Sequence, residues 1–61
     1  MNSFSIGDDI RVTNPIFPGV ENWEGNVIDI IKRPFIQFPI LVLFKNGVKC
    51  HFHNSELVKI N

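Results

Sequence analysis

The alternation of apolar and polar residues predicts short β-strands along most of the chain. Ile10 and Val12 alternate with Asp9 and Arg11, which indicates a half-buried strand over residues 8–13. Asn14-Pro15 ends this strand, and Lys32-Arg33-Pro34 ends the next one. The later apolar runs predict strands at about residues 23–31, 40–45, 48–53 and 57–60, with a single turn at residues 54–56.

Two glycine positions refine this pattern. Asn46-Gly47 lies between two predicted strands, and both residues accept positive φ, so we predict a two-residue type I′ hairpin there. Gly25 lies inside the second predicted strand, where it would permit a bend or a bulge. These features predict a chain of short antiparallel strands.

The composition supports an all-β domain. The chain has nine Ile, six Val and six Phe but no Ala, and β-branched and aromatic residues suit a pleated sheet. Five strands in 61 residues predict one domain, residues 1–61, folded as a small five-stranded SH3-like barrel. An oligonucleotide-binding barrel is the main rival, but the chain is short for it.

Charge and cysteine content exclude several classes of function. Six basic and six acidic residues give no net charge, which disfavours nucleic acid as a partner. Cys50 is the single cysteine, so the chain has no internal disulfide and fits a reducing compartment. The first residues do not resemble a signal peptide, and the longest apolar run, residues 40–44, is too short to span a bilayer. We expect no direct membrane insertion.

No catalytic or metal-binding motif stands out. The chain has no nucleophile–base arrangement and no glycine-rich phosphate loop. In the run Cys50-His51-Phe52-His53 the histidines share one strand face and the thiol lies on the other, with no third ligand evident. We therefore expect a protein that is not an enzyme and has no catalytic residue, metal or cofactor.

The chain carries more large apolar residues than a small barrel can enclose. Residues 40–44 are apolar on both faces, so one face needs a cover. This surplus predicts a protein interface made of Trp23, Phe35, Phe38, Leu41 and Leu43. Four basic residues near the predicted hairpin form a candidate docking strip for an acidic partner: Lys45, Lys49, His51 and His53.

Several short motifs resemble the SH3-like electron-transport accessory proteins of oxygenic phototrophs. GDDIRVT at residues 7–13 is similar to their opening strand, and EGNV at 24–27 to the start of their second strand. FPILVLF at 38–44 resembles their central strand. KCHFHNSEL at 49–57 resembles the closing segment of the variable chain of ferredoxin:thioredoxin reductase. The segment between Gly25 and Pro39 looks more like the small peripheral stromal subunit of photosystem I.

A third similarity is to the ferredoxin-docking subunit of the photosynthetic NADH-dehydrogenase-like complex, through RVTN at 11–14 and LFKNG at 43–47. The resemblance implies a non-catalytic subunit that packs on an iron–sulfur reductase chain, a photosystem or a dehydrogenase complex, or that helps ferredoxin dock. Leu43 stands where the photosystem subunit has a basic docking residue, which favours packing over ferredoxin docking. The implied location is the cytoplasm or the plastid stroma, peripheral to the thylakoid membrane through a partner.

A module that binds RNA or a ribonucleoprotein, of the KOW type, is the alternative function. In that hypothesis Trp23 and Phe35 stack on bases while Lys32 and Arg33 contact phosphates. Salt separates the two hypotheses, because nucleic-acid binding weakens steeply with salt and an apolar interface does not.

Overall fold

A computed structural model describes residues 4–16 and 18–60 of the chain. It contains five strands and one 3₁₀ turn, close to the predicted boundaries. The strands are β1 (Asp9–Val12), β2 (Glu24–Ile30), β3 (Ile40–Phe44), β4 (Lys49–Phe52) and β5 (Leu57–Lys59), and the 3₁₀ turn is Asn54–Glu56.

All strands belong to one antiparallel sheet in the order β4-β3-β2-β1-β5. The longest strand, β2, lies at the centre and pairs with β1 on one side and with β3 on the other. Gly25 is opposite Ile10 on β1 and opposite Phe44 on β3. The predicted all-β class is confirmed. The central strand β2 joins the β3–β4 side of the sheet to the β1–β5 side.

The bulge in β2 is not at Gly25. The register with β3 shifts between Val27 and Asp29, which makes Ile28 the extra residue. Gly25 is needed for a different reason, since a Cβ there would lie 2.7 Å from the Leu43 carbonyl oxygen and 2.7 Å from Val42 Cγ1. The absence of a side chain therefore lets β3 approach β2 closely.

The predicted type I′ hairpin is wrong in its turn type. Gly47 has φ 87°, whereas Asn46 is not among the described residues with positive φ. The Gly47 N–H donates to the Phe44 carbonyl, and the Phe44 N–H donates to the Val48 carbonyl. This is the pattern of a three-residue loop whose last residue is left-handed. The Asn46 side chain accepts the Val48 N–H at 3.1 Å, so it stabilises the loop without a positive φ.

The core consists of the inward-facing residues of all five strands. Val42 on β3 lies among them, with Phe44 edge-on to Phe52 at a ring-centroid distance of 5.8 Å. The buried apolar residues are Ile10, Val12, Val27, Ile40, Val42, Phe44, Phe52 and Leu57. In the described part of the chain, no helix is long and apolar enough to cross a membrane.

Candidate protein interface

Trp23 and Phe44 form the apolar wall of a groove beside the start of β2. Their rings meet edge to face, with centroids 5.2 Å apart and planes 86° apart. Trp23 is half-buried and packs against the core, whereas Phe44 is buried. The groove has a volume of about 290 Å³, and Glu24, Lys45 and Asn46 complete its lining. We call these five residues the Trp23 groove.

Backbone hydrogen bonds fix the segment that carries the Trp23 side chain. The Trp23 carbonyl accepts the Val12 N–H at 2.9 Å, and the Trp23 N–H donates to the Val20 carbonyl at 3.1 Å. The preceding residue, Asn22, has φ 66° and donates its N–H to the Val12 carbonyl. Asn tolerates the left-handed region better than most residues do. The hydrogen bonds to Val12 therefore hold the backbone at Trp23 against β1.

The rim of the groove is charged and internally paired. Arg11, opposite Glu24 in the β1–β2 ladder, donates from Nε at 3.0 Å and from Nη2 at 2.7 Å to the same Glu24 oxygen. These hydrogen bonds and the Arg11 charge lower the pKa of Glu24 below its ordinary value; burial opposes the lowering, and the Lys45 charge adds a smaller contribution to it. Glu24 therefore stays ionised between two cations.

A second recess continues the groove past Glu24 and Lys45, which line both. Its volume is about 230 Å³, and its other lining residues are Asp9, Gly25 and Ile60. Ile60 is exposed at 40% although it is a large aliphatic residue. The two recesses therefore share the charged Glu24 and Lys45, and each also has an apolar lining.

Leu41 and Leu43 lie on the outer face of β3, opposite to the core-facing Ile40, Val42 and Phe44. Both leucines are half-buried. Leu43 pairs with Asn26 and Lys49 in the two ladders, and Leu41 pairs with Asp29 and His51. We call Leu41, Leu43, Lys49 and His51 the outer β3–β4 face, because side chains across paired strands share one side of the sheet. The predicted apolar strip is present, and polar neighbours flank it.

The structure does not bring all five predicted interface residues onto one surface. Trp23 precedes β2, whereas Phe35 and Phe38 lie in the loop that follows it. A seven-residue strand separates these loops by about 20 Å. Phe35 is fully exposed, and Phe38 is half-buried. Trp23 and Phe35 therefore belong to different regions of the molecule.

The predicted basic strip is divided between the two surfaces, which are consecutive along the chain because Phe44 and Lys45 of the groove directly follow Leu43 of the face. Lys49 and His51 are exposed on the outer β3–β4 face, whereas Lys45 lies at the rim of the Trp23 groove. His53 caps the 3₁₀ turn instead, because its Nδ1 accepts the Ser55 N–H at 3.1 Å. Within the described residues, no group of three His, Cys, Asp or Glu side chains is placed to hold a metal ion.

Glu56 joins the loop before β2 to the 3₁₀ turn through hydrogen bonds. The sequence pattern did not predict this role. The residue is 2% exposed, and its carboxylate accepts the Ile16 N–H at 2.9 Å and the His53 N–H at 2.8 Å. Its backbone carbonyl accepts the Thr13 N–H at 2.9 Å. His53 and Glu56 are spaced as in a capping box, but His in place of Ser or Thr hides the usual signature.

The comparisons with known proteins concern the fold. No protein family matches the chain, and no curated protein matches it in sequence. Among solved structures, the chain is similar to the NMR structure of Bacillus subtilis YorP, with a TM-score of 0.82 and 18% sequence identity. The match covers 97% of this chain and 71% of that chain. It supports the small SH3-like β-barrel and, at this identity, shows the fold alone.

Proposed function

We propose that this protein is a non-catalytic binding module that docks a partner protein across the Trp23 groove and the outer β3–β4 face. The observation that carries the proposal is the groove itself. A half-exposed tryptophan is held edge-on to Phe44, beside a charged rim, on a backbone fixed by two hydrogen bonds. Aromatic anchors in fixed positions surrounded by polar groups are typical of protein interfaces.

The outer β3–β4 face adds the second contact area. Leu41 and Leu43 offer apolar side chains at the middle of the sheet, and Lys49 and His51 border them on the β4 side. A partner that buries the leucines would place its own acidic groups along β4, where they meet Lys49. Such complementarity sets orientation and association rate more than affinity.

The class of partner rests on the sequence resemblance to photosynthetic accessory proteins. That resemblance makes an iron–sulfur redox protein the partner to test, with this chain in the supporting role of a reductase variable chain. Leu43 lies on the outer face between Asn26 and Lys49. An apolar residue there supports packing against a catalytic chain and gives ferredoxin docking less support.

The RNA-binding alternative has less support from the geometry. It needs Trp23 and Phe35 to stack on bases beside Lys32 and Arg33. Trp23 lies before β2, and Phe35 lies after it, so the two rings do not form one stacking platform. Lys32 and Arg33, the cations of this alternative, lie in the same loop as Phe35 and on the other side of β2 from Trp23.

Trp23 provides the test, because it is the single tryptophan of the chain. Titration with the catalytic chain of ferredoxin:thioredoxin reductase should quench Trp23 emission in a saturable manner that persists at high salt. Lys45→Glu at the rim and Leu41→Ser with Leu43→Ser on the face should each weaken binding by about tenfold or more.

Ile16→Ser serves as the matched control, since Ile16 is a comparably apolar residue with 56% exposure outside both surfaces. It should bind as the unaltered protein does. If the rim and face variants fold and bind like Ile16→Ser, the proposed surface is wrong. Salt-labile binding of RNA in place of any protein would favour the alternative function.

A further inference from the structure

Phe35 combines two unfavourable features at the tip of the loop after β2. Its φ is 68°, in the left-handed region that favours glycine, and its side chain is fully exposed. Pro34 followed by a left-handed residue is the arrangement of a type II turn, whose third position normally carries Gly or Asn. The turn thus holds an aromatic ring away from the barrel, and the fold gains no burial from it.

The surroundings of Phe35 are apolar and basic. Ile36, the next residue, is exposed at 39%. Lys32 lines a recess of about 230 Å³ whose other lining residues are Phe4, Ser5, Ile6 and Ile30. Ile6 is itself 65% exposed. The end of the barrel beyond β2 therefore presents aliphatic and aromatic side chains beside Lys32 and Arg33.

Lys32 and Arg33 keep their charges available. In the described part of the chain the ion pairs are Arg11 with Glu24 and Lys59 with Asp8. The Asp8 carboxylate also accepts the Ser5 N–H, and the Asp29 carboxylate accepts the Ile30 N–H. Among the described residues, neither carboxylate forms an ion pair with Lys32 or Arg33, although Asp29, three residues before Lys32, offsets part of the positive charge.

We propose that this turn is an anchor for an anionic lipid surface. Phe35 and Ile36 enter the boundary between headgroups and acyl chains, and Lys32 and Arg33 contact the lipid phosphates. A protruding apolar group with cations at its base meets the requirements of interfacial binding. The aliphatic Ile6 and Ile36 favour lipid over nucleic acid, because they offer no surface on which a base can stack. This attachment is separate from the partner interface, and it replaces the expectation from the sequence that the protein does not insert into a membrane directly.

Co-sedimentation with vesicles tests the anchor. Vesicles of equimolar phosphatidylcholine and phosphatidylglycerol should carry the protein down, whereas vesicles of phosphatidylcholine alone should not. Phe35→Ser should weaken the partition by about tenfold, and Lys32→Glu with Arg33→Glu should abolish it. Val58→Ser, which removes a 43% exposed apolar residue on β5, is the control and should sediment normally.

A fluorescent variant reports insertion directly. Phe35→Trp combined with Trp23→Phe places the single tryptophan at the turn, and its emission should shift to the blue on anionic vesicles. The proposal is overturned if the unaltered protein does not sediment, or if Phe35→Ser sediments equally well. Phe35-dependent binding of an oligouridylate in the absence of vesicle binding would also overturn it.

Discussion

The loop before β2 and the loop after it each place a residue other than glycine in the left-handed region of φ. The first uses Asn22, at 66°, and the second uses Phe35, at 68°. Asn adopts this conformation at low cost, but Phe does not. The first loop is also tied to Glu56 through the Thr13 and Ile16 N–H groups. The second loop is closed at its base by the Ile31 N–H on the Pro39 carbonyl.

The residues of the loop before β2 stabilise the fold, whereas Phe35 in the loop after β2 does not. Before β2, the hydrogen bonds and the choice of Asn22 both stabilise the loop and hold Trp23 in place. After β2, an exposed phenylalanine in a strained turn contributes no buried contact. Strain of this kind often marks a functional position. Substitutions in the two regions should therefore have opposite effects on stability.

The largest effect is expected where β2 meets β3. Gly25→Ala would place a Cβ 2.7 Å from the Leu43 carbonyl oxygen, a backbone atom that cannot move aside without shifting β3. We expect a loss of about 3 kcal/mol in the free energy of unfolding, measured by urea denaturation. Gly19→Ala is the comparison without a clash, because its φ is 106° and no atom lies within 4 Å of the added Cβ, so its loss comes from the left-handed backbone alone. Gly25 has no positive φ, so a Gly25→Ala protein as stable as the unaltered one would contradict the close approach.

Glu56 should be next in magnitude. Glu56→Ala removes a buried carboxylate and leaves the Ile16 and His53 N–H groups, which are part-buried, without their acceptor, at a cost of about 2 kcal/mol. Glu21→Ala is the matched control, because its carboxylate also accepts a backbone N–H, from Gly19 at 3.0 Å, but is exposed. Thermal and urea unfolding of the pair should differ clearly. Equal losses would mean that burial of Glu56 adds nothing.

Phe35→Gly should have the opposite sign. Glycine relieves the left-handed strain, worth about 1–2 kcal/mol, against about 0.5–1 kcal/mol of added freedom in the unfolded chain. We expect a net gain of up to about 1.5 kcal/mol in the free energy of unfolding, measured by urea denaturation. Ile36→Gly, at the neighbouring position without positive φ, should lose stability. A loss in both variants would show that Phe35 supports the fold.

The smallest effect concerns the rim of the Trp23 groove. Arg11 lowers the pKa of Glu24, so the pair stabilises the fold above the unfolded carboxyl's pKa, and this stabilisation is lost as the pH falls through the folded pKa. Arg11→Met should return the Glu24 pKa toward its ordinary value in an NMR titration of the carboxyl carbon. An unchanged Glu24 pKa would exclude Arg11 as the cause.

The strands could be predicted because one face of each strand is buried, which makes apolar and polar residues alternate along it. Ile10 and Val12 are buried, and Ile40, Val42 and Phe44 face the core as the pattern requires. The hairpin type was mispredicted because Asn46-Gly47 is compatible with more than one loop, and Gly47 alone takes the positive φ. Local sequence constrains a turn, but the pairing of the strands selects among the allowed types.

The candidate site was predictable only in its parts. Leu41 and Leu43 follow from alternation along one strand, so their outward position was accessible to sequence reasoning. The separation of Trp23 from Phe35 depends on the length of β2 between their loops, and the burial of Glu56 depends on contacts forty residues away along the chain. Such long-range contacts leave no local pattern.

The most direct test of the account is a map of the partner's footprint by amide and indole NMR shifts. The ¹⁵N-labelled protein would be titrated with the catalytic chain of ferredoxin:thioredoxin reductase and, separately, with ferredoxin. Docking at the proposed interface should shift the Trp23 indole N–H together with the amides of Lys45, Leu41 and Leu43 on addition of the catalytic chain. Shifts confined to other regions, or no shifts with either protein, would contradict the proposed interface and its partner class.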